Sequence, residues 1–143
     1  MVVTVVVDTS VLIAALLRAG DGPSRKVLRL CLEGRLQPIL GEKLLLEFES
    51  VMARGPLFDA CPLSADERDE IFSGFAAVCH WVTVHYLWRP NLPDEGDNHV
   101  LELAVAGGAG YIITHNVRHF KRGDLLFPGV RVLTPTEFLN TFS

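Results

Sequence analysis

Residues Val2 to Val7, VVTVVV, are β-branched throughout and apolar on both faces, and an acid, Asp8, ends the run. A strand without an exposed face needs cover on both sides, which is the condition of a central parallel strand between two layers of helix. The opening residues therefore point to an α/β protein before anything else is read.

The remaining segments keep to that plan. Thr9 or Ser10 can cap a helix through VLIAALLRA, which the Gly20-Asp21-Gly22-Pro23 break ends, and a second helix is expected from about Pro23 to Glu33. LQPIL, Leu36 to Leu40, is a short apolar run, and GEKLLLEFESVMAR after it has helical length and periodicity. Ser64 with Glu67 forms a capping box for a helix reaching about Cys79, and WVTVH, Trp81 to His85, reads as a strand. The segment up to Pro93 is read as an exposed loop. DEGDNHVLELAVAGG enters a helix that stops at Gly107-Gly108, and YIIT, Tyr111 to Thr114, is the next strand. VRVLT, Val130 to Thr134, gives the last strand, and Thr134-Pro135-Thr136-Glu137 opens a short closing helix. Such alternation predicts a three-layer α/β/α arrangement around a twisted, mainly parallel sheet joined by right-handed crossovers. Ligand sites in these sheets lie beyond the carboxyl ends of the strands, where strand order reverses.

At 143 residues the chain suits one domain with a core of its own, without staples. Cys31, Cys61 and Cys79 are widely spaced and form no zinc-binding pattern, so they read as reduced thiols. No basic segment precedes the first apolar run, and no apolar run approaches the ~20 residues of a membrane span, so a cytoplasmic protein is expected. A formal net charge of −4 argues against holding nucleic acid by bulk positive potential. Contact with phosphates must then be local, or run through a bound cation.

Asp8 stands at the carboxyl end of the first strand, where it is either a helix cap or a reactive group. At 100° per residue, Val100, Leu101, Ala104 and Val105 share one side of their helix, with Asp97 near the middle of that stripe. An inward carboxylate in a first turn needs a cation or a donor network beside it. Glu102 falls on the opposite face and reads as a solvated charge. Glu42, Glu47 and Glu49 compete for a third acid, and the wheel places Glu47 and Glu49 at about equal angles to the apolar stripe.

Thr114 and Asn116 follow the YIIT strand and, with Ser10, can orient water or an acid at the same edge. Asp94 reads equally as a supporting acid and as a loop residue. Carboxylates converging without cysteine or a histidine set suit a hard ion, Mg²⁺ or Mn²⁺. Phosphodiester cleavage is the chemistry such an ion serves.

VVVDTSVLIAALL, LLLEFESVMAR, DEGDNHVLELAVAGGAGYIITHN and VRVLTPTEFL together resemble the PIN domain family, and within it the VapC-like ribonucleases, over nearly the whole chain. The resemblance implies a flavodoxin-like sheet and a Mg²⁺- or Mn²⁺-dependent ribonuclease acting on RNA. It also implies the toxin half of a toxin–antitoxin pair, with a cognate antitoxin as partner, and a homodimer. Position by position it assigns Asp8, Glu47 and Asp97 as the metal-binding acids, choosing Glu47 where the wheel does not. Asn116 takes the fourth catalytic position, where many relatives carry Asp, and His119 stands where many relatives with Asn have an acid.

His115 and His119 have the spacing of helical metal ligands but no third nitrogen or sulfur partner, and read as substrate contacts or surface. Arg118, Lys121 and Arg122 are candidates for gripping RNA phosphates, with Arg25, Lys26 and Arg29 a weaker set. Trp81 is expected in the core, while Leu87 and Trp88 could add to a dimer or antitoxin groove. An aspartyl-nucleophile phosphatase fits poorly, because Ser10 stands where that chemistry needs an acid. A fold that binds RNA or a partner without cutting is the non-enzymatic alternative, prompted by Asn116.

Overall fold

The computed structural model of the chain describes residues 2–17, 22–84, 95–121 and 129–142, with backbone alone at 95–98, 119 and 121. The VVTVVV run forms β1 (Val3–Val7), and Asp8 leads into α1 (Thr9–Leu17). After α2 (Pro23–Leu32) come β2 (Leu36–Leu40) and α3 (Glu42–Met52). A single 3-10 turn, Gly55–Phe58, which the sequence reading did not anticipate, precedes α4 (Ala65–Val78). Then follow β3 (His80–Trp81), α5 (Glu95–Gly107), β4 (Tyr111–Ile113), α6 (Val117–Lys121), β5 (Arg131–Leu133) and α7 (Pro135–Phe142).

The strands form one parallel sheet in the order β3-β2-β1-β4-β5. β1 is therefore central, and order reverses between β1 and β4. Val5, Val6 and Val7 are all buried, as a strand covered on both faces requires. α2 packs on α1, α4 and α7, with α2 and α4 against β2, while α5 packs on β1, β2 and β4. Phe48 of α3 anchors the interior edge-on to Phe72 and Phe75, with ring centroids 6.1 Å away in each case. Burying a ring of this size stabilises by roughly 1.5–3 kcal/mol.

Local signals explain where elements stop. Gly34 and Gly108 sit at positive φ after α2 and α5, and each closes its helix with a pair of reversed hydrogen bonds: Arg35 to Leu30 and Gly34 to Cys31, Ala109 to Ala104 and Gly108 to Val105. Ser64 and Glu67 form the expected capping box.

Three expectations need correction. The third strand spans His80–Trp81, since its pairing partner β2 ends at Leu40, and Trp81 is 51% exposed rather than in the core. The residues after β4, where a loop following a strand need not be helical, turn into the short helix α6. Most tellingly, α5 is buried over an unbroken run, Val100 to Ala104, so Glu102 is only 4% exposed instead of solvated, whereas Val105 lies out on the surface. The wheel assumed one buried face, but the sheet, α3 and residues Val82 and Val84 surround this helix on more than one side.

Candidate active site at the carboxyl edge of the sheet

β1 delivers Asp8 to the switch point between β1 and β4, where the Asp8 main-chain N–H donates to the Ile113 carbonyl at 3.0 Å. The Asp8 carbonyl accepts from the N–H groups of Val11 and Leu12, so its backbone starts α1. Its side chain does other work. Asp8 Oδ2 accepts from Ser10 Oγ at 2.9 Å and from Thr114 Oγ1 at 2.8 Å. Ser10 in turn accepts from the His115 N–H at 3.1 Å, and Thr114 from the Asn116 N–H at 3.0 Å. Two hydroxyls from opposite ends of the chain thus fix one carboxylate that is itself 4% exposed.

Glu47 reaches the same corner from α3. Thr9, next to Asp8, donates from its hydroxyl to Glu47 Oε1, and His99 of α5 donates from Nε2 to Glu47 Oε2 at 2.9 Å. The hydrogen bond from His99 holds Glu47 below the ordinary carboxylate range, against the upward push of burial, with Thr9 and the charges of His99 and Arg54 assisting. Glu42 and Glu49, its competitors in the sequence, are exposed.

Asp97 belongs to the start of α5, two residues before His99, which brings its backbone near the Glu47 corner; its side chain lies outside the described residues. The same holds for the side chains of His119 and Lys121, and for Asp94, Leu87, Trp88 and Arg122 altogether. Asn116 is exposed beside Thr114, and Arg118 is exposed on α6. His115 shares a hydrogen bond with Ser24 Oγ at 2.9 Å. Arg25 is committed to structure, since its Nε and Nη2 donate to the Ala15 carbonyl at 3.1 and 2.9 Å.

Thr9 and His99 were not picked out by sequence reasoning. The signal for His99 was its place two residues beyond Asp97, on a helix wrongly taken to have one wet face.

Among the described residues no three His, Cys, Asp or Glu side chains gather to hold a metal ion. Asp8 and Glu47 are the described acids of the corner, and the bonds to Asp8 among the described residues all fall on Oδ2. Mg²⁺ is commonly bound by one or two carboxylates that leave room for water and substrate phosphate, so this all-oxygen donor set fits such an ion.

A parallel sheet ordered 3-2-1-4-5, with acids from β1 and α3 meeting at its switch point, defines a class of α/β protein whose site is assembled from distant segments. The chain belongs to the PIN domain family, whose model matches residues 4–118. Among solved structures it is similar to VapBC2 from Rickettsia felis bound to a DNA fragment from its promoter, at 14% identity and a TM-score of 0.58. That alignment covers 90% of this chain and 96% of the other. No curated protein matches by sequence. Among the described residues no helix is long and apolar enough to cross a membrane.

Proposed function

We propose that the chain is a Mg²⁺- or Mn²⁺-dependent endoribonuclease. The observation that carries this reading is the convergence of Asp8, clamped by Ser10 and Thr114, and Glu47, held by Thr9 and His99, on one corner of the sheet. Asp8, Glu47 and Asp97 would hold the ion, with Asn116 beside it. Bound there, a divalent cation neutralises phosphoryl charge and lowers the pKa of an attacking water.

The protein groups have defined parts. Ser10 and Thr114 keep the Asp8 carboxylate in one orientation, so little reorganisation is needed as charge develops. His99 keeps Glu47 ionised and aimed. Arg118, Lys121 and Arg122 would take the flanking phosphates of RNA. Family membership and the VapBC2 likeness support a further assignment as the toxin of a toxin–antitoxin pair, acting in the cytoplasm as a homodimer and silenced by a cognate antitoxin.

The test is Mn²⁺-dependent cleavage of RNA by the full chain. Cleavage should stop on chelation and fall by at least about a hundredfold in Asp8→Asn, the scale of losing one preorganised electrostatic group. Persistence of full activity in that variant would falsify the proposal. A second reading, an RNA- or partner-binding module that does not cut, is favoured by Asn116 in place of an acid. Binding of RNA without cleavage in any divalent metal would select it.

A further inference from the structure

Three residues, Thr114, His115 and Asn116, connect β4 to α6, and each sends a hydrogen bond to Asp8 or to a hydroxyl that holds it. Thr114 donates to Asp8 directly, the His115 N–H donates to Ser10 Oγ, and the Asn116 N–H donates to Thr114 Oγ1. A hydroxyl has one proton, and an N–H aimed at its oxygen turns that proton elsewhere, here towards Asp8 Oδ2. The aim of both hydroxyls therefore follows the position of this turn.

A side chain of α2 helps to fix it. The buried residues of α2 are Ser24, Val27, Leu28 and Cys31, the i, i+3, i+4, i+7 stripe of a helix packed on its neighbours. Ser24 fills the first place of that stripe with a hydroxyl, and Ser24 Oγ lies 2.9 Å from His115 Nε2, across 91 positions of sequence. A buried hydroxyl is tolerated when it is bonded, which the His115 ring provides. His115 itself is exposed, so water could serve its ring if the serine were absent. The bond thus adds order to the turn more than stability to the fold. At its start the turn is pinned by the Thr114 N–H to the Leu133 carbonyl at 3.0 Å, and Ser24 pins its middle from a different element.

We propose that Ser24 is a positioning residue for the metal-binding corner: through the His115 ring it fixes the β4–α6 turn, and the turn aims the Ser10 and Thr114 hydroxyls at Asp8 and sets the backbone of Asn116. The proposal rests on the metal-dependent reading given above. Ser24 touches neither ion nor RNA in this scheme. Groups that hold a metal ligand in orientation change metal affinity about 10- to 100-fold when removed. One bond further back, the effect should be about 3- to 10-fold, the scale of one net hydrogen bond.

The experiment compares the full natural chain with Ser24→Ala, His115→Ala and the double variant. In chelator, amide exchange followed by NMR should show the Asn116 N–H exchanging about 2- to 10-fold faster in Ser24→Ala, while the Ile112 N–H in the middle of β4 keeps its rate. The Mn²⁺ dissociation constant, read from the electron paramagnetic resonance of the free ion, should rise about 3- to 10-fold in the same variant. Ser24→Ala should add nothing in a His115→Ala background, because the two residues act through one bond. Unchanged Asn116 exchange, equal acceleration of Ile112, Mn²⁺ affinity indifferent to Ser24→Ala, or losses that add in the double variant each overturns the proposal. His115→Ala, at an exposed position, gives the same exchange and affinity comparison if Ser24→Ala does not fold. A natural chain that binds no Mn²⁺ would overturn the metal reading and this proposal with it, whereas Mn²⁺ binding that ignores both substitutions would overturn this proposal alone. Mn²⁺ bound with the expected ranking, but no RNA cut, would leave the positioning role standing and sink the ribonuclease reading.

Discussion

Asp8 and Glu47 are held by different means, and the difference sets how each responds to its surroundings. Asp8 relies on two neutral hydroxyls in a nearly closed site, while Glu47 has a titratable neighbour, His99. Because the folded state depresses the Glu47 pKa, its contribution to stability is complete above the ordinary carboxylate range and is lost as pH falls through the depressed value. In chelator, the gap in urea midpoint between the natural chain and Glu47→Gln should be largest near about pH 7 and close towards about pH 3. A gap that stayed constant across that range would mean that the charge of Glu47 does not matter to folding. At this scale the acids themselves were legible, since Asp8 ends an unmistakable strand and Glu47 follows a family pattern. Thr9 and His99 were not, because a side chain's partner across 38 or 52 positions is set by packing, which no local periodicity records.

Element boundaries show a similar division. The capping box of α4 and the glycine end of α5 were readable because capping chemistry is local: the residues that make the bonds are three to five apart. β3 was not, because a strand lasts only as long as its neighbour, and β2 gives out at Leu40. The glycine stop is testable on its own. Gly108 has φ +67, and a Cβ there would meet nothing within 4 Å, so substitution acts through backbone conformation alone. Gly108→Ala should cost about 1–2 kcal/mol in denaturant unfolding, and Gly108→Asn distinctly less, since asparagine tolerates the left-handed region. Equal losses for the two would show that the turn is not the seat of the effect.

Across the whole molecule, the buried thiol of Cys31 reports on integrity, with half-buried Cys79 beside it. Burial pushes Cys31 and Cys79 up to about 12, and Cys31 also feels the charge of Cys79. Alkylation proceeds through the thiolate, so near about pH 8 Cys31 should label only when the fold opens, at least about a thousandfold slower than in denaturant. Mass spectrometry of the labelled chain checks this, and rapid labelling of Cys31 in native buffer would contradict it. The α/β layering was legible because VVTVVV admits no exposed face. The strand order was not, as nothing local to β4 says that it lies beside β1. That order has a consequence during synthesis. With β1 at the centre, Asp8 waits for Thr114, and a ribosome that has yet to extrude β4 carries a growing chain in which that corner does not yet exist.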